Sequence, residues 1–353
     1  MRADYVKKAV GVFAAAIIAA AMHAAALQAQ PIEDGAKGAP TGLAAQHPQL
    51  LDGLVRPPWK VAGVDYPVGI PPTVEVKAPT SENMPKGASL SPGAIYVTGA
   101  NVTLDGFDLS GLTVMIEATA SGVVTITNCR ADGIVIRSTV DASAEVVVSY
   151  CTLDGGGVAS DANFQTVKVW CPLNISYTWI KNSPGGIQSN ASLTAMYNLL
   201  EGFAWTAGAH ANAIYVRGTD RPTEKTIIAF NTISSQASRN DRGFPIGIGA
   251  AIAFFGDGGS FHDSTVSRNV LISTLPGGAS YLIGFYVDAG QVATGGKVTD
   301  NYLASVNGFG RKNSGALGPF YLSSRGVVQA DYSGNVDMST GTPLEVRSRA
   351  RAP

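Results

Sequence analysis

Charge is scarce in this sequence. Asp, Glu, Lys and Arg make up 14% of its 353 residues and the formal net charge is -1. No basic field exists to hold a nucleic-acid backbone, so nucleic acid is not an expected partner. Histidine is rarer still, at four residues, and the three cysteines stand apart from histidine and acid clusters. A metal site needs several such ligands together, so no metal-ligating residues are expected, and Ca²⁺ stays open only as an optional cofactor. Glycine-rich pieces such as Gly247-Ile248-Gly249 and Gly256-Asp257-Gly258-Gly259 have no helix after them. They read as turns rather than phosphate loops.

Long apolar runs are missing too, with one exception. Val10 to Leu27 is apolar and alanine-rich, follows Arg2, Lys7 and Lys8, and ends near Gln28-Ala29-Gln30-Pro31. This pattern predicts a signal peptide over residues 1–29, cut after Ala29 or Ala26. The alternative is an uncleaved anchor, because the run approaches the ~20 residues that span a bilayer. His23 interrupts it and favours cleavage, which predicts a secreted or periplasmic protein without membrane contact. In an exported chain three cysteines leave one unpaired. Cys129 and Cys151 stand 22 residues apart at equivalent places in a repeat. Neighbouring strands roughly 4.8 Å apart suit a disulfide at Cα, but parallel side chains hold the Cβ atoms apart, which favours stacked thiols.

What the chain has is glycine, 41 residues of it, and 45% hydrophobic content. It also has an asparagine that returns after a short strand at Asn198, Asn231, Asn269, Asn301 and Asn335. The same frame runs back through Thr178, Cys151 and Cys129. Recurrence of one short strand predicts an all-β solenoid of about eight to ten coils. A column of asparagines can pass amide hydrogen bonds from coil to coil, and asparagine tolerates the positive φ that a sharp bend needs, so the ladder is read as architectural. Residues 30–72 are rich in Pro, Gly and Ala and are expected to be a linker and lead-in that caps the first coil. The solenoid is expected over 73–345, from a strand at Thr73-Val74-Glu75-Val76, with a disordered tail at 346–353.

Ladder spacings lengthen from 22 residues between positions 129 and 151 to 38 between 231 and 269. Extra residues in a solenoid gather as loops on one face, where function is expected. Alternation places Ile214 and Val216 inward and Tyr215 and Arg217 outward.

These strands, turns and ladder resemble the right-handed parallel β-helix of the pectate-lyase-like superfamily, over Thr73 to Leu344. More narrowly they are similar to a group of secreted bacterial β-helix-repeat proteins. That group carries a His-x-Asp-x-Ile-Gln motif, matched here by His210-Ala211-Asn212-Ala213-Ile214-Tyr215. Gly277-Gly278, Phe309-Gly310-Arg311, Gly318-Pro319 and Gly334-Asn335 match its other steps. Asn212 and Tyr215 depart from the pattern, and a carboxylate is missing at position 212.

The resemblance implies a polysaccharide partner, met in a groove over the C-terminal coils by a protein expected to be a monomer. A lyase needs a base and a cation beside the substrate carboxylate, types that His210 and Arg217 supply. The plainer reading makes His210 a turn residue and pairs Arg217 with Asp220. A hydrolase needs two carboxyl groups about 5 to 9.5 Å apart, for which Asp241 and Asp257 are candidates. Trp205, Tyr215 and Phe255 are the outward aromatic candidates for sugar contact, with Asn212 and Arg242 as polar ones. Polysaccharide lyase, glycoside hydrolase and non-catalytic glycan binding remain open, the last favoured by the missing carboxylate.

Overall fold

A computed structural model describes residues 35–42, 44–133, 136–156, 165–203, 211–221, 223–234, 248–273, 279–305, 318–322 and 325–346. The expected signal peptide, Trp205, His210, Asp241 and Arg242 lie outside these residues. So do Gly277-Gly278 and Phe309-Gly310-Arg311.

Short strands form three sheets that the chain visits in rotation. The first runs from Ala94–Val97 to Gly318–Leu322, the second from Thr103–Asp105 to Val327–Asp331, and the third from Arg130–Asp132 to Val336–Asp337. Pairing along these stacks is parallel, as in Val114 with Ile136, Val124 with Val146 and Ala131 with Leu153. The molecule is therefore a parallel β-solenoid. Among the described residues no helix is long and apolar enough to cross a membrane.

Period-two alternation builds the core. Ile214 and Val216 face inward and are buried while Tyr215 and Arg217 between them face out, as the alternation predicts. Ile252 and Ile283 continue the inward column, and Phe254 stacks on Phe285 at 4.4 Å inside. Stacking identical positions lets every rung bury its apolar side chains against the next, so no coil needs a core of its own.

The asparagine ladder is present in full. Asn198, Asn231, Asn269 and Asn301 each donate from Nδ2 to Oδ1 of the next asparagine at 2.9 to 3.0 Å. Each of the five Nδ2 groups also reaches a strand carbonyl, that of Ile175, Ala195, Ile228, Val266 or Val298. All five side chains are buried, and the ladder leaves their amides paired.

The sequence reading misplaced the bend by one residue. Positive φ falls on the residue before each ladder position: Asn128, Tyr150, Tyr177, Tyr197, Phe230, Arg268 and Asp300, then Gly334 at φ 70°. The asparagines therefore supply hydrogen bonds, not the left-handed turn. An aromatic residue in that conformation is strained by about 1–3 kcal/mol. Ring stacking offsets it: Tyr150, Tyr177, Tyr197 and Phe230 stack with centroids 5.1 to 5.3 Å apart.

All three cysteines are buried free thiols. Cys129 Sγ donates to the Thr127 and Leu104 carbonyls at 3.1 and 3.6 Å, and Cys151 Sγ to those of Ser149 and Ile126 at 3.2 and 3.6 Å. Asn231 Nδ2 makes the same two kinds of bond, to Ala229 and Ala195. The thiols thus imitate half of the amide, the donor half.

The segment 44–72, expected to cap the first coil, instead runs lengthwise along the outside of the third sheet. Leu50, Leu51, Val61 and Val64 pack on Val270, Ile272, Ala304 and Met338, while Ala62, Tyr66 and Val68 pack on Leu199. Backbone bonds pin it from Val55 to Met338 and from Gly69 to Tyr177, both at 2.8 Å. Residues 74–76, expected as the first strand, form none. A hairpin of Ala88–Ser91 on Ala94–Val97 covers the first coil, with Met84, Ala88 and Leu90 against the core.

Candidate functional site

Chain length marks out one face. The turn from second to third sheet is two residues over most coils, such as 230–231 and 268–269, so it cannot vary. Extra residues enter at the two corners that flank the first sheet. Before its strands they fall at 202–211, 235–247 and 306–317, and after them at 218–225 and 256–263. With the third sheet strapped over, the outward side of the first sheet at its C-terminal coils is the surface beside the described connections 218–221 and 256–263.

Three strands build the site there. Asn212–Arg217, Ile248–Phe255 and Ala279–Tyr286 pair so that Arg217, Phe255 and Tyr286 fall in one outward column. The short turn Gly256–Gly258 follows Phe255 and carries Asp257 back over the preceding strand. The Tyr215 hydroxyl donates to the Asp257 carboxylate, with its oxygens at 3.1 and 3.3 Å. Arg217 Nη2 donates to the Asp257 backbone carbonyl at 3.2 Å. Its Nε lies 3.5 Å from Asp257 Oδ1, an ion-pair distance too long for a formed hydrogen bond, so this buried donor lacks an acceptor.

The Tyr215 phenol is held well above its usual range, first by burial and then by the Asp257 charge. It stays protonated and works as a donor. Burial raises the Tyr286 phenol in the same way.

The aromatic candidates turn their faces to one another rather than to solvent. Phe255 and Tyr286 stack at 4.4 Å and 4°, Tyr286 and Tyr321 at 4.6 Å and 28°, and Tyr215 meets Phe255 edge-on at 4.9 Å. Gly284 makes room for this: a Cβ there would sit 2.7 Å from the Tyr286 ring. What the row offers outward is therefore ring edges and phenol hydroxyls, not the broad platform expected of Tyr215 and Phe255.

Other expected site residues fare differently. Asn212 does not reach the surface; it is buried, and its Oδ1 accepts from the Ala250 backbone at 2.9 Å, which makes it a tie between coils. Arg217 pairs with Asp257 and not with Asp220, whose Oδ1 accepts from the Ser260 backbone. Phe203 and Phe261 belong to the core. His262 lies in the second sheet, 3.3 Å from Thr294 Oγ1, and Asp263 takes the bend there at φ 48°.

Sequence reasoning named Arg217 and Asp257 but in separate pairs, because nothing in the text ties a turn to the strand of the preceding coil. It also left out Tyr286 and Tyr321 as site residues. The signal was there in the paired aromatics Phe254-Phe255 and Phe285-Tyr286, each with one ring inward and one outward.

Among the described residues no group of three His, Cys, Asp or Glu side chains could hold a metal ion. A wide hollow of about 620 Å³ lies at the opposite end, lined by Pro79, Leu90, Pro92, Leu112 and Asp108 among others. Its one carboxylate, Asp108, is held below the usual range by Arg130 and Ser110 and is no proton donor near neutral pH. Comparison with protein-family models, curated proteins and solved structures gives no match.

Proposed function

We propose that this is an exported right-handed β-helix of about eight to ten coils, of the pectate-lyase-like architecture. It binds a polysaccharide across the outward side of the first sheet at its C-terminal coils. The observation that carries the reading is the Tyr215, Arg217 and Asp257 cluster on the outward side of the first sheet. A carboxylate with accessible lone pairs and phenol hydroxyls are groups that recognise sugar hydroxyls, and Arg217 holds that carboxylate in place. The half-buried ring edges of Phe255, Tyr286 and Tyr321 give apolar surface for sugar C–H groups. Exposure to a panel of immobilised glycans tests it: retention of wild-type protein and loss of retention in Arg217→Ala are expected. No retention on any glycan sinks it.

A second reading keeps chemistry at the same place, as lyase or hydrolase; the other catalytic candidates, His210 and Asp241, lie outside the described residues. It is favoured by the Asp257 carboxylate, 53% exposed beside Arg217. In a β-elimination a base takes the proton beside the substrate carboxylate while a cation holds the developing charge. Unsaturated product or new reducing ends from a soluble glycan, abolished by Asp257→Asn, decide for it; binding without turnover decides for the first.

A further inference from the structure

We infer that the polysaccharide is neutral, a chain of hydroxyl-bearing pyranose units without carboxylate or sulfate. The inference rests on the glycan reading above and adds the charge of the ligand. Its ground is how the cluster divides its charges between solvent and protein. The Asp257 side chain is 53% exposed and that of Arg217 37%, so the carboxylate is the charge an arriving ligand meets first. Arg217 is already committed, with Nη2 on the Asp257 carbonyl and Nε opposite its carboxylate. Among the described residues further along the chain, Arg325 likewise stands 3.8 Å from a carboxylate, that of Asp288. Both of these described arginines therefore face a carboxylate.

A uronate or sulfate ester approaching Tyr215 and Phe255 would have to displace Asp257 from Arg217. It would then keep that carboxylate as a like-charged neighbour, an arrangement that costs binding energy. A neutral sugar meets no such obstacle. An ionised carboxylate has about four acceptor positions, and the Tyr215 hydroxyl occupies only part of them. The rest can accept from neighbouring sugar hydroxyls in charge-assisted bonds. The Tyr286 and Tyr321 hydroxyls on the same sheet can donate to or accept from sugar hydroxyls.

The test compares a neutral β-1,4-linked xylo-oligosaccharide series with oligogalacturonates of equal length, by titration calorimetry at low and moderate salt. Wild-type protein is expected to bind the neutral series and to bind the anionic series at least about 10-fold more weakly, the gap narrowing as salt rises. Asp257→Asn keeps the shape of the exposed turn but releases Arg217. It is expected to weaken neutral binding by about 10-fold and to strengthen oligogalacturonate binding, which reverses the preference. Oligogalacturonate binding by wild type as tight as the neutral series would overturn the inference while leaving the glycan face standing. So would an Asp257→Asn variant, folded by circular dichroism, that changes neither series. Failure of both series to bind wild type would take the glycan reading down with it.

Discussion

At the scale of single residues, the ladder shows how one side chain type can satisfy several buried groups at once. Asn231 accepts from the Asn198 amide and backbone N–H and donates to Asn269 and to the Ala195 carbonyl. Replacing it with alanine leaves the Asn198 backbone N–H and one Asn198 Nδ2 hydrogen without their acceptor in a dry interior, while Asn269 Oδ1 keeps the Asn231 backbone N–H. A cost of about 1–3 kcal/mol for each group left unpaired follows. Asn231→Ala is therefore expected to lower the urea midpoint strongly, whereas Asn83→Ala, at an exposed turn, leaves it almost unchanged. Equal effects of the two would remove the ladder from the account of stability. The column itself was legible from sequence because it repeats in chain order. Its neighbour at positive φ was not, because Tyr, Phe, Arg, Asp and Asn all fill that place and only their stacking reveals a common role.

At the scale of elements, the strap and the sheet it covers explain a departure from alternation. Val270, Ile272 and Leu199 face away from the core yet are buried, because Leu50, Leu51, Val61 and Ala62 lie on them. Full burial of such side chains stabilises by about 1.5–3 kcal/mol each. No period marked residues 44–72 as structural in the sequence, since an extended strap follows the surface below it rather than a helix or strand repeat. Leu51→Asp is expected to free the strap and expose its peptide bonds to limited proteolysis while the coils remain folded. Proteolysis no faster than in wild type would contradict the packing.

The strap also carries a titratable latch. His47 Nε2 lies 2.6 Å from Glu201 Oε2, and Trp179 Nε1 donates to the other oxygen at 2.7 Å. The hydrogen bond to Glu201 raises the His47 pKa against the opposing effect of burial. A raised folded-state value means that the contribution is whole below the unfolded pKa of about 6.5 and fades as pH rises through the folded one. Hydrogen exchange across 44–54 is expected to quicken relative to the core as pH goes from about 6 to 8, after correction for intrinsic exchange. In His47→Gln that excess should vanish; an unchanged excess would assign it elsewhere.

At the scale of the whole molecule, the three faces have different fates. The third is covered by the chain's own N-terminal segment, and the second meets it through turns too short to vary. The first carries Tyr215, Arg217, Phe255, Asp257 and Tyr286 on its outward side. The sequence announced the solenoid and the uneven coil lengths, because both are periodic signals. It could not announce that Asp257 returns to Tyr215, a contact across 42 residues made by strand register together with the turn at Gly256–Gly258. Asn212 shows the converse error: a polar residue inside a recognisable motif was taken for a surface group, while the alternation that turns Ile214 and Val216 inward turns Asn212 inward too, as a tie to Ala250.

The claim that glycan binds on the first sheet is tested most directly by hydrogen exchange of the protein with and without a saturating xylo-oligosaccharide. The account predicts slowed exchange confined to Asn212–Arg217, Ile248–Phe255, the turn at Asp257 and Ala279–Tyr286. Protection confined to the second sheet or the strap, or none on any strand at saturation, would contradict it.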